Sequence, residues 1–133
     1  MKHIDHIGIA VKNLAESELL FSKLLNISPY KREIVESENV ITSFFKTGDS
    51  KIELLESTNE NSAITKFLEK MGEGIHHIAF EVENIANEME RLVNEGFKLI
   101  NEVPKLGADN KLVCFLHPKS SNGVLIELVQ SII

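Results

Sequence analysis

Two histidines and two glutamates stand out by type and spacing. His6 lies in "HIDHIGIAV" and His77 in "GIHHIAFEV", while Glu53 and Glu127 each sit at the centre of an "IEL" triplet. All four stretches are apolar in the manner of strands, so each side chain is expected to be carried on one. Two neutral imidazoles and two carboxylates would formally neutralise one divalent cation, and an octahedral ion would keep open positions for water or substrate. Such an ion is a Lewis acid wherever negative charge develops on a bound oxygen.

Residues two apart in a strand share a face. His6 then stands with Gly8 and Ala10, and His77 with Ala79. Small neighbours suit a cavity wall, whereas Ile7, Ile9, Ile78, Phe80 and Val82 suit a core. A carboxylate set between Ile52 and Leu54, or between Ile126 and Leu128, either points to solvent or is buried with a partner. Taken singly, a strand histidine is ordinarily a hydrogen-bonded or surface residue. Repetition favours the ligand reading: at an offset of 71 residues Ile4, His6, Ile7, Val11, Asn13 and Ala15 meet Ile75, His77, Ile78, Val82, Asn84 and Ala86. A period this long, occurring twice, indicates internal duplication rather than a solenoid. His3 and His76 fall outside the repeated position and His117 in a loop, so all three read as structural. Cys114, the sole cysteine, lies in "LVCFL" and reads as a packing residue.

The elements that must position these residues follow from the pattern. After the first strand, Asn13 is expected to cap a helix whose Leu14, Leu19, Leu20, Leu24 and Leu25 fall near helical spacing. The charged "YKREIVESEN", the β-rich "VITSFF", a turn in "KTGDS" and "KIELLE" complete a βαβββ module through about residue 57. A linker helix is expected at about 62–72. A second module, about 74–131, repeats the order: strand "IHHIAFEV", helix "NIANEMERLVNE", and strands "FKLINEV", "KLVCFLH" and "VLIELVQ". The expected fold is α+β: one domain over 1–133, with two βαβββ modules in tandem forming a curved, cleft-forming mixed sheet with helices outside. At 133 residues, 43% hydrophobic and 26% charged, the chain is expected to bury a real core. No apolar run nears the roughly 18 residues of a membrane span, and "MKHIDH" lacks a signal-peptide apolar region, so a cytoplasmic address is expected. The net charge of -6 without a basic cluster argues against nucleic acid as a partner, as the missing span does against a membrane.

The chain as a whole resembles the vicinal oxygen chelate (glyoxalase/bleomycin resistance/dioxygenase) superfamily, and within it the methylmalonyl-CoA epimerases. The resemblance is carried by "DHIGIAVKNL", "KIELLE", "GIHHIAFEVENI", "PKLGADNK" and, most specifically, "FLHPKSSNGVLIEL". It implies metal ligands at His6, His77 and Glu127, with Glu53 at a fourth position that members fill with Glu or Gln. It implies a divalent cation, cobalt, manganese, nickel or zinc by donor type, and epimerisation at C2 of methylmalonyl-CoA through a metal-stabilised enolate. Glu127 would be both ligand and acid/base on one face. Some members place the second carrier on the strand after the first module's loop, where this chain has Thr42; Glu36, Glu38 or a metal-bound water is expected to take that role. Lys105, Lys111 and Lys119 are expected to approach the carboxylate or the phosphates of an acyl-CoA substrate, and the resemblance suggests a homodimer. A glyoxalase I-like lactoylglutathione lyase would use the same constellation, but usually with "DPDG" where this chain has "HPKSSNG". Non-catalytic small-molecule binders of the superfamily commonly lose metal ligands, and all four are present here.

Overall fold

Asn13 takes an extended conformation and its side-chain oxygen accepts a hydrogen bond from the Glu16 amide, which starts the first helix as expected. The computed structural model describes residues 1–132 and divides into two compact units, Ile7–His76, and Met1–His6 with the chain from His77 onward. Strand β1 (His3–Ala10) gives its first half to one unit and its second half to the other.

In the unit Ile7–His76, helix α1 (Leu14–Leu25) is followed by strands β2 (Lys31–Val35), β3 (Val40–Thr47) and β4 (Ser50–Ser57). The three strands are antiparallel, and β3 turns into β4 over two residues with Gly48 at φ 63. Register sets Thr42 opposite Leu55, and Glu53 opposite Phe44. At 100° per residue Leu14, Glu18, Phe21 and Leu25 share one face of α1. Leu14, Phe21 and Leu25 pack with Val11, Phe45 and Leu54. Leu19, Leu20 and Leu24 lie off that face and are 66%, 63% and 70% exposed, so the sequence spacing overstated the inward stripe. Glu18 occupies a place on it, where Ser43 Oγ donates to its carboxylate at 2.6 Å and Arg32 pairs with it. Helix α2 (Ala63–Met71), capped by Ser62 and stopped at Gly72, follows β4 within this unit.

In the other unit, β5 (Gly74–Glu81), most of which lies here, runs parallel to β8 (Ile126–Ser131); β7 (Lys111–Leu116) is antiparallel to β8 and β6 (Lys105–Leu106) to β7. Helix α3 (Ile85–Asn94) is capped by Asn84 and packs Ile85, Met89 and Leu92 on Val82, Cys114, Leu116 and Leu128. Cys114 is therefore the expected packing residue, its thiol pushed up chiefly by burial. The "FKLINEV" strand does not form. Leu99 makes one isolated bridge to Leu116, the Ile100 amide donates to the Phe115 carbonyl, and the Asn101 side chain then takes the Phe115 amide in place of a backbone carbonyl. Ladder pairing resumes only after Pro104, which has no amide to offer, in the two residues of β6.

Among the described residues the order is β-α-β-β-β twice with a helix between, an α+β fold with parallel and antiparallel pairs. None of the described helices is long and apolar enough to cross a membrane.

Candidate metal centre

His6 at the middle of β1, His77 on β5 and Glu127 on β8 meet inside one unit, 5%, 6% and 7% exposed. Register explains the meeting. Parallel pairing sets Glu127 beside Ala79, which shares its face of β5 with His77 two residues earlier, and Ala79 brings only a methyl group. On its other side Glu127 pairs with Phe115, whose ring stands edge-on to His77 with centroids 5.8 Å apart. The two imidazoles are perpendicular, centroids 5.1 Å apart.

Three atoms form a triangle: His6 Nε2 to His77 Nε2 is 2.9 Å, and each of them is 3.1 Å from Glu127 Oε1. Donors set at right angles about an ion with bonds of ~2.1 Å stand ~3 Å apart, so the spacing suits three adjacent positions of one coordination sphere. The Glu127 Oε1 atom is buried and takes no hydrogen bond of acceptable geometry, which is the condition a cation would relieve. Burial pushes the Glu127 carboxyl up, but its contacts with the His6 and His77 imidazoles outweigh burial and hold it at about 2. Glu127 is thus anionic at neutral pH without an ion, and the residues present fit one.

A further carboxylate completes the picture. Asp5, 4% exposed, sets Oδ2 2.8 Å from His6 Nδ1 and Oδ1 2.6 Å from the Lys111 ammonium. Asp5 is unmarked by the repeat, and an acid inside an alternating apolar strand is the one sequence signal that points to it. Lys111, expected to approach the carboxylate or the phosphates of an acyl-CoA substrate, has its ammonium paired with Asp5 and its side chain only 11% exposed.

Glu53 is buried, 4% exposed, on β4. Thr42 is buried on β3. Glu36 is exposed and Glu38 half-buried in a short 3-10 turn over Glu36–Glu38. Lys119 is exposed, and Lys105 is half-buried in β6. His3 stands 3.7 Å from Glu81, His76 packs edge-on to Phe67, and His117 Nδ1 accepts from the Lys119 amide, so each has a structural partner.

Residues 5–115 match the family model of the Glyoxalase/Bleomycin resistance protein/Dioxygenase superfamily. The chain belongs to that superfamily. Its neighbours there in sequence and in structure include methylmalonyl-CoA epimerases. It is 40% identical over 126 residues to the mitochondrial methylmalonyl-CoA epimerase of Dictyostelium discoideum, covering 94% of this chain and 76% of that one. It is 38% identical to the ethylmalonyl-CoA/methylmalonyl-CoA epimerase of Cereibacter sphaeroides, over 96% of each. A variant of Streptomyces coelicolor methylmalonyl-CoA epimerase in complex with 2-nitronate-propionyl-CoA superimposes with a TM-score of 0.94 at 34% identity, covering 100% of this chain and 99% of that one. The fold and the enzyme class, an epimerase, agree with the expectation from sequence.

Proposed function

We propose that this chain interconverts the two configurations of methylmalonyl-CoA at C2, using a divalent cation held by His6, His77 and Glu127. The observation that carries the reading is the buried triangle of two imidazole nitrogens and an unsatisfied carboxylate oxygen, in a chain alike to epimerases along nearly its whole length. A cation of the cobalt, manganese, nickel or zinc type would act as Lewis acid, taking up negative charge as it develops on the thioester oxygen.

The chain's own groups do the rest. His6 and His77 present neutral Nε2 atoms and Glu127 presents Oε1. Glu53 is carried as a fourth ligand because it is the repeat equivalent of Glu127 and is a buried carboxylate. The second oxygen of Glu127, anionic at neutral pH, takes the proton from C2 while the C–H electron pair moves into the thioester as an enolate. A proton then returns to C2 from the opposite face and the pair returns with it, inverting the centre. Glu36 or Glu38 is assigned to that return, since Thr42 is a hydroxyl with no charge to hold a proton. Lys105 and Lys119 are assigned to the acyl-CoA. The reading includes a cytoplasmic homodimer, which light scattering at twice the chain's mass would report.

Purified protein incubated with methylmalonyl-CoA in heavy water is expected to place deuterium at C2. The hemithioacetal of methylglyoxal and glutathione is expected to remain unconverted. Lyase turnover without C2 exchange would replace this reading by the glyoxalase one.

A further inference from the structure

Which nitrogen of His6 carries its proton decides whether Nε2 has a lone pair to give. A neutral imidazole has one N–H, and the group facing the other nitrogen selects the tautomer. Asp5 Oδ2 faces Nδ1 at 2.8 Å, and a carboxylate can only accept. We propose that Asp5 is a positioning residue: it takes the Nδ1–H bond, leaves Nε2 an acceptor toward His77 Nε2, whose N–H also faces Glu127 in the metal-free protein, and is itself held in place by Lys111.

The second half rests on the other oxygen. Lys111 Nζ lies 2.6 Å from Asp5 Oδ1, so the buried carboxylate is charge-paired and its two oxygens are committed to different partners. The lysine comes from the start of β7, immediately after Asp109 and Asn110 turn the chain with φ of 60 and 53. The row Lys111, Asp5, His6 runs from the ammonium to the Nε2 edge of the triangle within one unit. A carboxylate behind a ligating imidazole fixes its ring and raises its basicity, and losing one typically weakens metal binding about 10–100-fold.

Asp5→Asn isolates the claim, because it keeps size and burial but changes what faces Nδ1. Lys111 still claims the amide oxygen, so the NH₂ turns to Nδ1, which must then accept. The His6 proton moves to Nε2, where the ligand atom is needed.

The inference rests on the metal reading above, and the experiment separates the two. Nitrogen-15 spectra of histidine-labelled, metal-free protein at mildly alkaline pH report the His6 tautomer, and cobalt titrations of the same samples report affinity. The wild type is expected to carry its proton on Nδ1. Asp5→Asn is expected to carry it on Nε2 and to bind cobalt about 10–100-fold more weakly. Lys111→Met, which removes the ammonium from Asp5 without touching histidine, is expected to weaken cobalt binding in the same direction with an unchanged far-ultraviolet circular dichroism spectrum. A wild-type His6 protonated on Nε2 or on both nitrogens, or an Asp5→Asn protein that binds cobalt as tightly as wild type, overturns the role of Asp5. A wild type that binds no cobalt overturns the metal reading instead, and the tautomer spectra still decide this one.

Discussion

Glu127 is asked to do two things with two oxygens, and its surroundings bear on both. Burial alone would keep the acid neutral; the paired imidazoles of His6 and His77 reverse that and leave an anion at neutral pH. Glu127→Gln keeps the shape and a ligating oxygen but removes the proton acceptor. Deuterium uptake at C2 should fall about 10²–10⁴-fold, measured under saturating metal, because a positioned acid/base supplies a factor of that order. Unchanged uptake would assign the proton to another group. The meeting of His6, His77 and Glu127 was to be expected from the sequence because the repeated pattern marks these positions twice. Asp5 was not, since its place in the second copy is taken by His76 and the repeat is silent there. The pairing of Lys111 with Asp5 was not legible either, because a sequence shows a positive charge but not the direction in which it points.

At the scale of elements, helices and strands place these residues through packing that sequence patterns show unevenly. The leucines of α1 suggested an inward stripe that geometry narrows to Leu14, Phe21 and Leu25, with Glu18 admitted because Arg32 and Ser43 satisfy it. The hydrogen bonds from Arg32 lead in holding the Glu18 carboxyl below its ordinary value, against the opposing effect of burial. A folded value below the unfolded one contributes stability above the unfolded value and loses it as pH falls through the folded one. Glu18→Gln is therefore expected to lower the urea midpoint at neutral pH and to converge with wild type in acid, where both side chains are uncharged. Gly107 gives a second test. A Cβ there would stand 2.9 Å from Val113 Cγ1, and Val113 is packed against Ala79 and Val129. Gly107→Ala is expected to cost about 1–3 kcal/mol in urea unfolding, as overpacking does. The missing "FKLINEV" strand shows the limit of pattern reading: the apolar alternation is present, but Asn101 substitutes a side chain for backbone and Pro104 removes a donor.

For the molecule as a whole, the recurrence of one order of elements accounts for what could be read in advance. Asn13 and Asn84 both cap their helices from an extended backbone with φ of -134, and β1 and β5 each carry one histidine. The order of elements was legible because the same caps, strands and breaks occur twice; the wiring behind the candidate ligands was not, because Asp5 and Lys111 are 106 residues apart and their meeting depends on the fold. The central claim is that one cation per chain, held by His6, His77 and Glu127, makes the C2 proton removable. The most direct test is to strip the protein with chelator and follow C2 deuterium uptake from methylmalonyl-CoA as cobalt is added back. Uptake should be absent at first, rise in proportion to metal and level off at one equivalent per chain. Full uptake by the stripped protein, or no recovery on adding metal, would contradict it.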